Sequence, residues 1–224
     1  MQVKIIATIG PATRSLVRVR SLVRAGMDIG RINMKHANLK EAKKVASWIK
    51  KSHAKVLVDV EHVKDLKLFK DLEFDYLALS FCENAKQIED ARKNFLKKIN
   101  LIAKIESKNG VKNIEEIIKA ADGVMVARGD LGRHVPLEKL PLFQKMIIKR
   151  CNKHRKFVIT ATEMLFSMTK NKIPERAEVS DVANAVLDGS NALMLSEETA
   201  IGKYPAHVVA VMQKIIKETL KTRI

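Results

Sequence analysis

The chain has 224 residues, 46% hydrophobic and 30% charged, the make-up of a soluble globular protein with room for one large α/β domain. Its 42 lysines and arginines against 25 acids leave a formal charge of +17, a surface suited to anionic ligands or acidic partners. No apolar run approaches the roughly 20 residues of a membrane helix, the first residues lack a signal-peptide layout, and Cys82 and Cys151 sit in neither metal nor redox spacing. These features lead us to expect a cytoplasmic protein without membrane contact. Aromatics are scarce, at 4%, and basic residues such as Lys40, Lys43, Lys44, Lys50, Lys51, Lys64, Lys67 and Lys70 are spread through helix-like segments, so a solvated basic face is expected and a nucleic-acid partner is not.

In chain order, β-branched apolar runs alternate with amphipathic stretches. Strands are predicted over 3–9, 29–34, 55–60, 76–81, 101–106, 123–127, 157–162 and 192–196. Helices are predicted over 15–24, 39–51, 64–72, 85–96, 114–120, 137–154, 177–187 and 205–220. Strand–helix alternation at this spacing implies right-handed crossovers and a parallel sheet. Eight units imply closure into a (β/α)8 TIM barrel forming a single compact domain, at the short end of that fold's range. No linker, low-complexity segment, internal repeat or inserted domain is expected.

A barrel of this type keeps its chemistry at the C-terminal ends of the strands. Those ends carry Arg31 and Asn33, Asp59, Ser80, Lys104 and Glu106, Arg128 and Asp130, Thr160 and Thr162, and Ser196 with Glu197. The stretch LIAKIES followed by DGVMVARGDLG is the most telling. Period-2 alternation places Ile102, Lys104 and Glu106 on one face of a strand. A cation there, with Glu106 and Asp130 as a carboxylate pair, can hold a divalent metal beside a phosphorylated or carboxylated substrate. A structural ion pair inside the barrel is the alternative for Lys104 and Glu106 taken alone, and the convergence of polar groups from these seven strands favours the metal-and-anion reading.

The segments DYLALSF, LIAKIES, GVMVARGDLG, QKMIIKRCN, ITATEML and RAEVSDVANAVLDGSNALMLSEETAIGKYP, preceded by KIIATIGPATRS and AGMDIGRINMKHAN, occur in the order found in the pyruvate kinases, and the chain resembles that family. The resemblance implies a glycolytic transferase moving a phosphoryl group from phosphoenolpyruvate to ADP, with pyruvate and ATP as products. It implies that Lys104 neutralises the transferring group and the enolate oxygen, that Glu106 and Asp130 ligate Mg2+ or Mn2+, and that Arg31 grips the phosphoryl group. It further implies that Thr162 serves proton delivery, with strand capping as the plainer role for that residue. Ala127, Arg128 and Gly129 would offer backbone N–H groups to the substrate carboxylate, with Ser80 and Asp130 beside them.

Departures from the family pattern are equally specific. Neither its lid domain, inserted after the third strand, nor its C-terminal regulatory domain is expected in this sequence. The strand-3 motif reduces to Asp59-Val60-Glu61-His62-Val63, in which only the aspartate matches. At the monovalent-cation site the family's serine is replaced by Lys35, between Asn33 and His36. Two arrangements are open: the Lys35 ammonium stands in for potassium near Asn33 and Asp59, or it points to solvent. Glu197 replaces a glycine after the eighth strand, and its charge opposes an anionic nucleotide. Three functions are therefore compatible with the sequence: a minimal, slow kinase; a catalytically impaired relative that pairs with and regulates a full-length pyruvate kinase; and a metal-dependent enolising or decarboxylating enzyme acting on pyruvate or oxaloacetate. Homo-oligomers or mixed oligomers would form through the helices after strands 6 and 7, where Arg176 and Glu178 lie.

Overall fold

The computed structural model describes residues 3–61, 66, 69, 72–95 and 98–222. Eight parallel strands close on themselves in sequence order: β1 (Lys4–Thr8), β2 (Ile29–Asn33), β3 (Lys55–Val60), β4 (Tyr76–Leu79), β5 (Asn100–Ile105), β6 (Gly123–Ala127), β7 (Phe157–Ala161) and β8 (Ala192–Leu195), with β8 pairing back to β1. The expected (β/α)8 barrel is the observed one.

The helices are α1 (Leu16–Ala25), α2 (Leu39–Lys50), α3 (Ala85–Arg92), α4 (Lys108–Lys112), α5 (Ile114–Ala120), α6 (Arg128–His134), α7 (Leu140–Lys153), α8 (Arg176–Leu187), α9 (Glu197–Ala200) and α10 (Pro205–Lys221). Their starts are chemically legible. Asn38 and Asn84 close capping boxes with Glu41 and Gln87, and Ser15 accepts from the Arg18 N–H. Three short helices, α4, α6 and α9, follow β5, β6 and β8; α4 and α9 have too few residues to show a 3.6-residue period, and α6 carries two glycines in seven residues. The predicted helix 137–154 is divided into a 3-10 turn (Leu137–Lys139) and α7, with Pro141 in the first turn of α7. The predicted helix 64–72 falls largely outside the described residues.

Two apolar layers hold the barrel. The outer one joins strands to helices through residues such as Ile5, Val58, Ile105 and Val126. The inner one fills the barrel with Ile6, Ile29, Leu57, Ala78, Ile102, Met125, Ile159 and Met194, closed at the bottom by Tyr76 stacked on Phe157 with ring centroids 5.9 Å apart. Side chains on a strand return to the same face every second residue. Two positions beyond each inner-layer residue therefore lies the next inward group: Thr8, Arg31, Asp59, Ser80, Lys104, Ala127, Ala161 and Ser196. The barrel thus turns from oil to charge within one layer, at the C-terminal ends of its strands.

Candidate active site at the strand ends

Asp59 is the hub. Its Oδ2 accepts from Arg31 Nε at 2.9 Å and its Oδ1 from Lys104 Nζ at 3.0 Å. Lys104 Nζ also donates to Ser80 Oγ at 2.7 Å and lies 3.1 Å from Glu106 Oε1, whose other oxygen accepts the Phe81 N–H at 2.6 Å. Arg31 extends the network to Thr8 Oγ1 at 3.1 Å. Three strands thus bring two cations and two carboxylates into one self-neutralising cluster, with Arg31, Asp59, Lys104 and Glu106 all buried.

Burial opposes charge on each of these groups, and their partners decide the outcome. For Asp59 the desolvation penalty is outweighed by Arg31 and Lys104, so its carboxyl is held below the usual range. For Lys104 the same penalty is outweighed by Asp59 and Glu106, so the ammonium is held charged and cannot serve as a base. Glu106 is different. Burial pushes its carboxyl up, and Lys104 and the Phe81 N–H offset only part of that push.

Asp130 sits in the first turn of α6, its side chain about half exposed and 3.4 Å from Arg133. Among the described residues no cluster of three or more His, Cys, Asp or Glu side chains forms a protein-only metal cage. Two carboxylates on neighbouring strand ends are, however, the donor set of a hard divalent cation that takes its other oxygens from substrate and water. Glu106, buried with its charge poorly offset, and the half-exposed Asp130 fit Mg2+ or Mn2+ on that basis.

On the opposite side of the mouth, Thr162 and Glu163 both adopt left-handed backbone conformations, with φ of 70° and 53°. Arg128 holds this turn. Its guanidinium donates to the carbonyls of Ala161, Thr162 and Glu163 and pairs with Asp181 at 2.7 Å. Sequence reasoning missed this clamp, because Asp181 lies far along the chain inside a helix. Thr162 Oγ1 accepts the Gly129 N–H at 2.8 Å and donates to the Ala161 carbonyl. The Gly129 N–H expected to face a substrate carboxylate is thus engaged by Thr162 here, and a carboxylate would have to take the place of that hydroxyl. Thr160, by contrast, is buried against Ser190 and stays out of the mouth.

Of the two arrangements open at Lys35, the structure has the exposed one. Its ammonium pairs with Glu61 at 3.0 Å, while both oxygens of Asp59 are taken by Arg31 and Lys104, and Asn33 Oδ1 accepts the Lys35 backbone N–H. Of the two, the pairing favours the exposed arrangement because Glu61, two residues past the hub, offers Lys35 a partner that needs no burial.

Beside Arg31 opens a cavity of about 450 Å3, lined by residues that include Thr8, Arg14, His36, Ser196 and Glu197. The hydroxyl of Ser196 is buried and has no hydrogen-bond partner among the described residues. Glu198, next in the chain, turns inward instead. It is fully buried and accepts the N–H groups of Ser196 and Leu165 at 2.6 and 3.2 Å.

A closed parallel barrel with a buried cluster of cations and carboxylates at its C-terminal mouth and an adjoining cavity has the architecture of the (β/α)8 proteins, which keep their sites at the strand ends. Comparison with known proteins narrows this class. The family model "Pyruvate kinase, barrel domain" matches residues 1–70 and 58–209. The pyruvate kinase of Thermococcus litoralis is 54% identical over 153 residues, 66% of this chain and 32% of the relative. That of Trypanoplasma borreli is 52% identical over 171 residues, 74% of this chain and 34% of the relative. That of Methanocaldococcus jannaschii is 46% identical over 164 residues, 72% and 37%. The chain belongs to the pyruvate kinase family, and it spans about a third of the length of the curated relatives it matches.

Proposed function

We propose that this barrel binds phosphoenolpyruvate with a divalent cation at the strand-end cluster and transfers its phosphoryl group to ADP, slowly. The observation that carries this reading is the bridge Arg31–Asp59–Lys104–Glu106, which holds two cations side by side against carboxylates at the mouth of the barrel. Phosphoryl transfer asks for charge and position more than for covalent help. Glu106 and Asp130 would hold the divalent cation, whose charge would help neutralise the substrate's oxygens. Arg31 and Lys104 would leave Asp59 in part to face the phosphoryl group, and Lys104, held as an ammonium, would stabilise the developing enolate oxygen without taking a proton. Thr162, already exchanging hydrogen bonds with Gly129 and Ala161, would order the water that protonates the enolate carbon.

The cavity beside Arg31 is where the second substrate would lie. Arg14 and His36 favour its phosphates, the orphaned Ser196 hydroxyl supplies a donor, and Glu197 opposes them. β3 ends at Val60 and β4 begins at Tyr76, so the connection between them is far too short to fold into a lid domain of the kind that excludes water. These two features make the turnover slow. They also favour a second reading, in which an impaired barrel joins a full-length pyruvate kinase through the segments after β6 and β7. Glu178 there serves the local fold, accepting the N–H groups of Ser167 and Glu175, while Arg176 is exposed.

The test is pyruvate formation from phosphoenolpyruvate and ADP with Mg2+, with and without potassium, by the purified chain and its Lys104→Ala variant. Turnover that vanishes in the variant supports the kinase reading. Equal rates in the two proteins overturn it, and binding to a full-length pyruvate kinase or decarboxylation of oxaloacetate would then be the property to measure.

A further inference from the structure

Residues 1–56 hold thirteen lysines and arginines against two acids, most of the surplus of the whole chain. The fold gathers what the sequence disperses. On α2 the exposed positions are Lys40, Lys43, Lys44, Ser47 and Lys50, continued by Lys51 at the helix end. These recur at intervals of three and four, so they form a single stripe along one side of the helix. α1 packs beside α2 and exposes Arg18, Arg20 and Arg24, and α10 packs on the far side of α1 with Lys214, Lys217 and Lys221 exposed.

Few of these charges are spent within the molecule. Among the described residues, Lys50 pairs with Asp75, Lys221 with Glu218, and the nearby Arg14 with Glu41. Lys40, Lys43, Lys51, Arg18, Arg20, Arg24, Lys214 and Lys217 form no ion pair with the described residues, and Lys44 lies over the Trp48 ring.

We propose that this outer wall of the barrel, centred on the α2 lysine stripe, is a docking surface for the phosphate backbone of double-helical nucleic acid. The stripe from Lys40 to Lys51 rises about 16 Å. That length of duplex carries about nine phosphate charges, matched by the lysines and the flanking arginines. Backbone binding of this kind needs no stacking aromatics, so the low aromatic content, which argues against single-stranded ligands, does not count against a duplex. The face lacks the apolar wedge of a membrane-surface helix, Val17 being its one strongly exposed large hydrophobic side chain. It likewise offers no exposed aromatic anchor of the sort that centres a protein interface.

The experiment is fluorescence anisotropy with labelled mixed-sequence duplexes of about 24 base pairs, DNA and RNA, between ~50 and ~200 mM salt. Binding should be sub-micromolar at the low end and weaken on the order of 10³-fold or more across the range. Lys40→Gln/Lys43→Gln/Lys44→Gln/Lys51→Gln should lower the affinity more than about 10-fold and flatten the log–log salt slope by about 3 units. The matched variant Lys112→Gln/Lys119→Gln/Lys149→Gln/Lys153→Gln, on α4, α5 and α7, should change the affinity less than about 2-fold. All eight positions are exposed, and a thermal melt verifies that both variants fold. Equal losses in the two variants, no saturable binding to either duplex, or tighter binding to phosphatidylserine vesicles or polyglutamate at matched salt would each overturn the proposal.

Discussion

Asp59 illustrates how one buried residue can serve structure and chemistry together. It neutralises Arg31 and Lys104, the two cations proposed to receive the phosphoryl group. Asp59→Asn should therefore strand two buried cations and destabilise the barrel by about 3 kcal/mol, read by urea unfolding. Lys104→Ala should lower the rate of pyruvate formation about 10²-fold or more in steady-state assays. Glu198 makes a prediction of opposite sign to that of ordinary paired carboxylates. Burial raises its carboxyl, and the N–H groups it accepts offset that only in part, so the folded protein holds this proton to a higher pH than the unfolded chain does. Its contribution to stability is then greatest below the ordinary glutamate range and is lost as pH rises through the folded value. Glu198→Gln should remove that slope, seen as a flatter dependence of the melting temperature on pH from about 4 upwards.

The alternation of strands and helices could be read from periodicity because each strand is buried on both faces and each long helix has one apolar side. Strand bounds agree with the structure to within a residue or two. The short helices α4 and α9 could not be read in this way, since about one turn carries no period, and the seven residues of α6 include two glycines, which disfavour a helix. Arg31, Asp59, Ser80 and Lys104 were legible as a site because strand alternation alone sends them inward. The clamp of Arg128 on Asp181, the left-handed turn at Thr162 and the pairing of Lys35 with Glu61 were not, since each depends on contacts that only the closed barrel creates. The same holds for Gly10. A Cβ there would come within 2.8 Å of the Ala200 backbone, where the β1 loop crosses α9. Gly10→Ala should cost about 1–3 kcal/mol in denaturant unfolding, because neither backbone can yield freely.

At the scale of the whole molecule the faces of the barrel divide the labour. Leu137, Leu142, Ile173 and Leu187 are strongly exposed large apolar residues on the segments following β6 and β7. We expect this face to bury itself against a second barrel, so Leu142→Asp combined with Ile173→Asp should convert a dimer to a monomer in sedimentation velocity. The charged ring at the mouth has a role beyond ligands. A parallel strand that slipped by two residues during closure would keep its inward face apolar–polar pattern and most of its hydrogen bonds, so the backbone alone scarcely resists that error. Here such a slip would drive Arg31 or Lys104 into the layer of Ile29 and Ile102, away from Asp59, at a cost of several kcal/mol. The ring therefore works as a key for assembly: only one shear of the barrel lets every charge find its counter-charge, and the groups that would receive the substrate are also those that proofread the closure of the sheet.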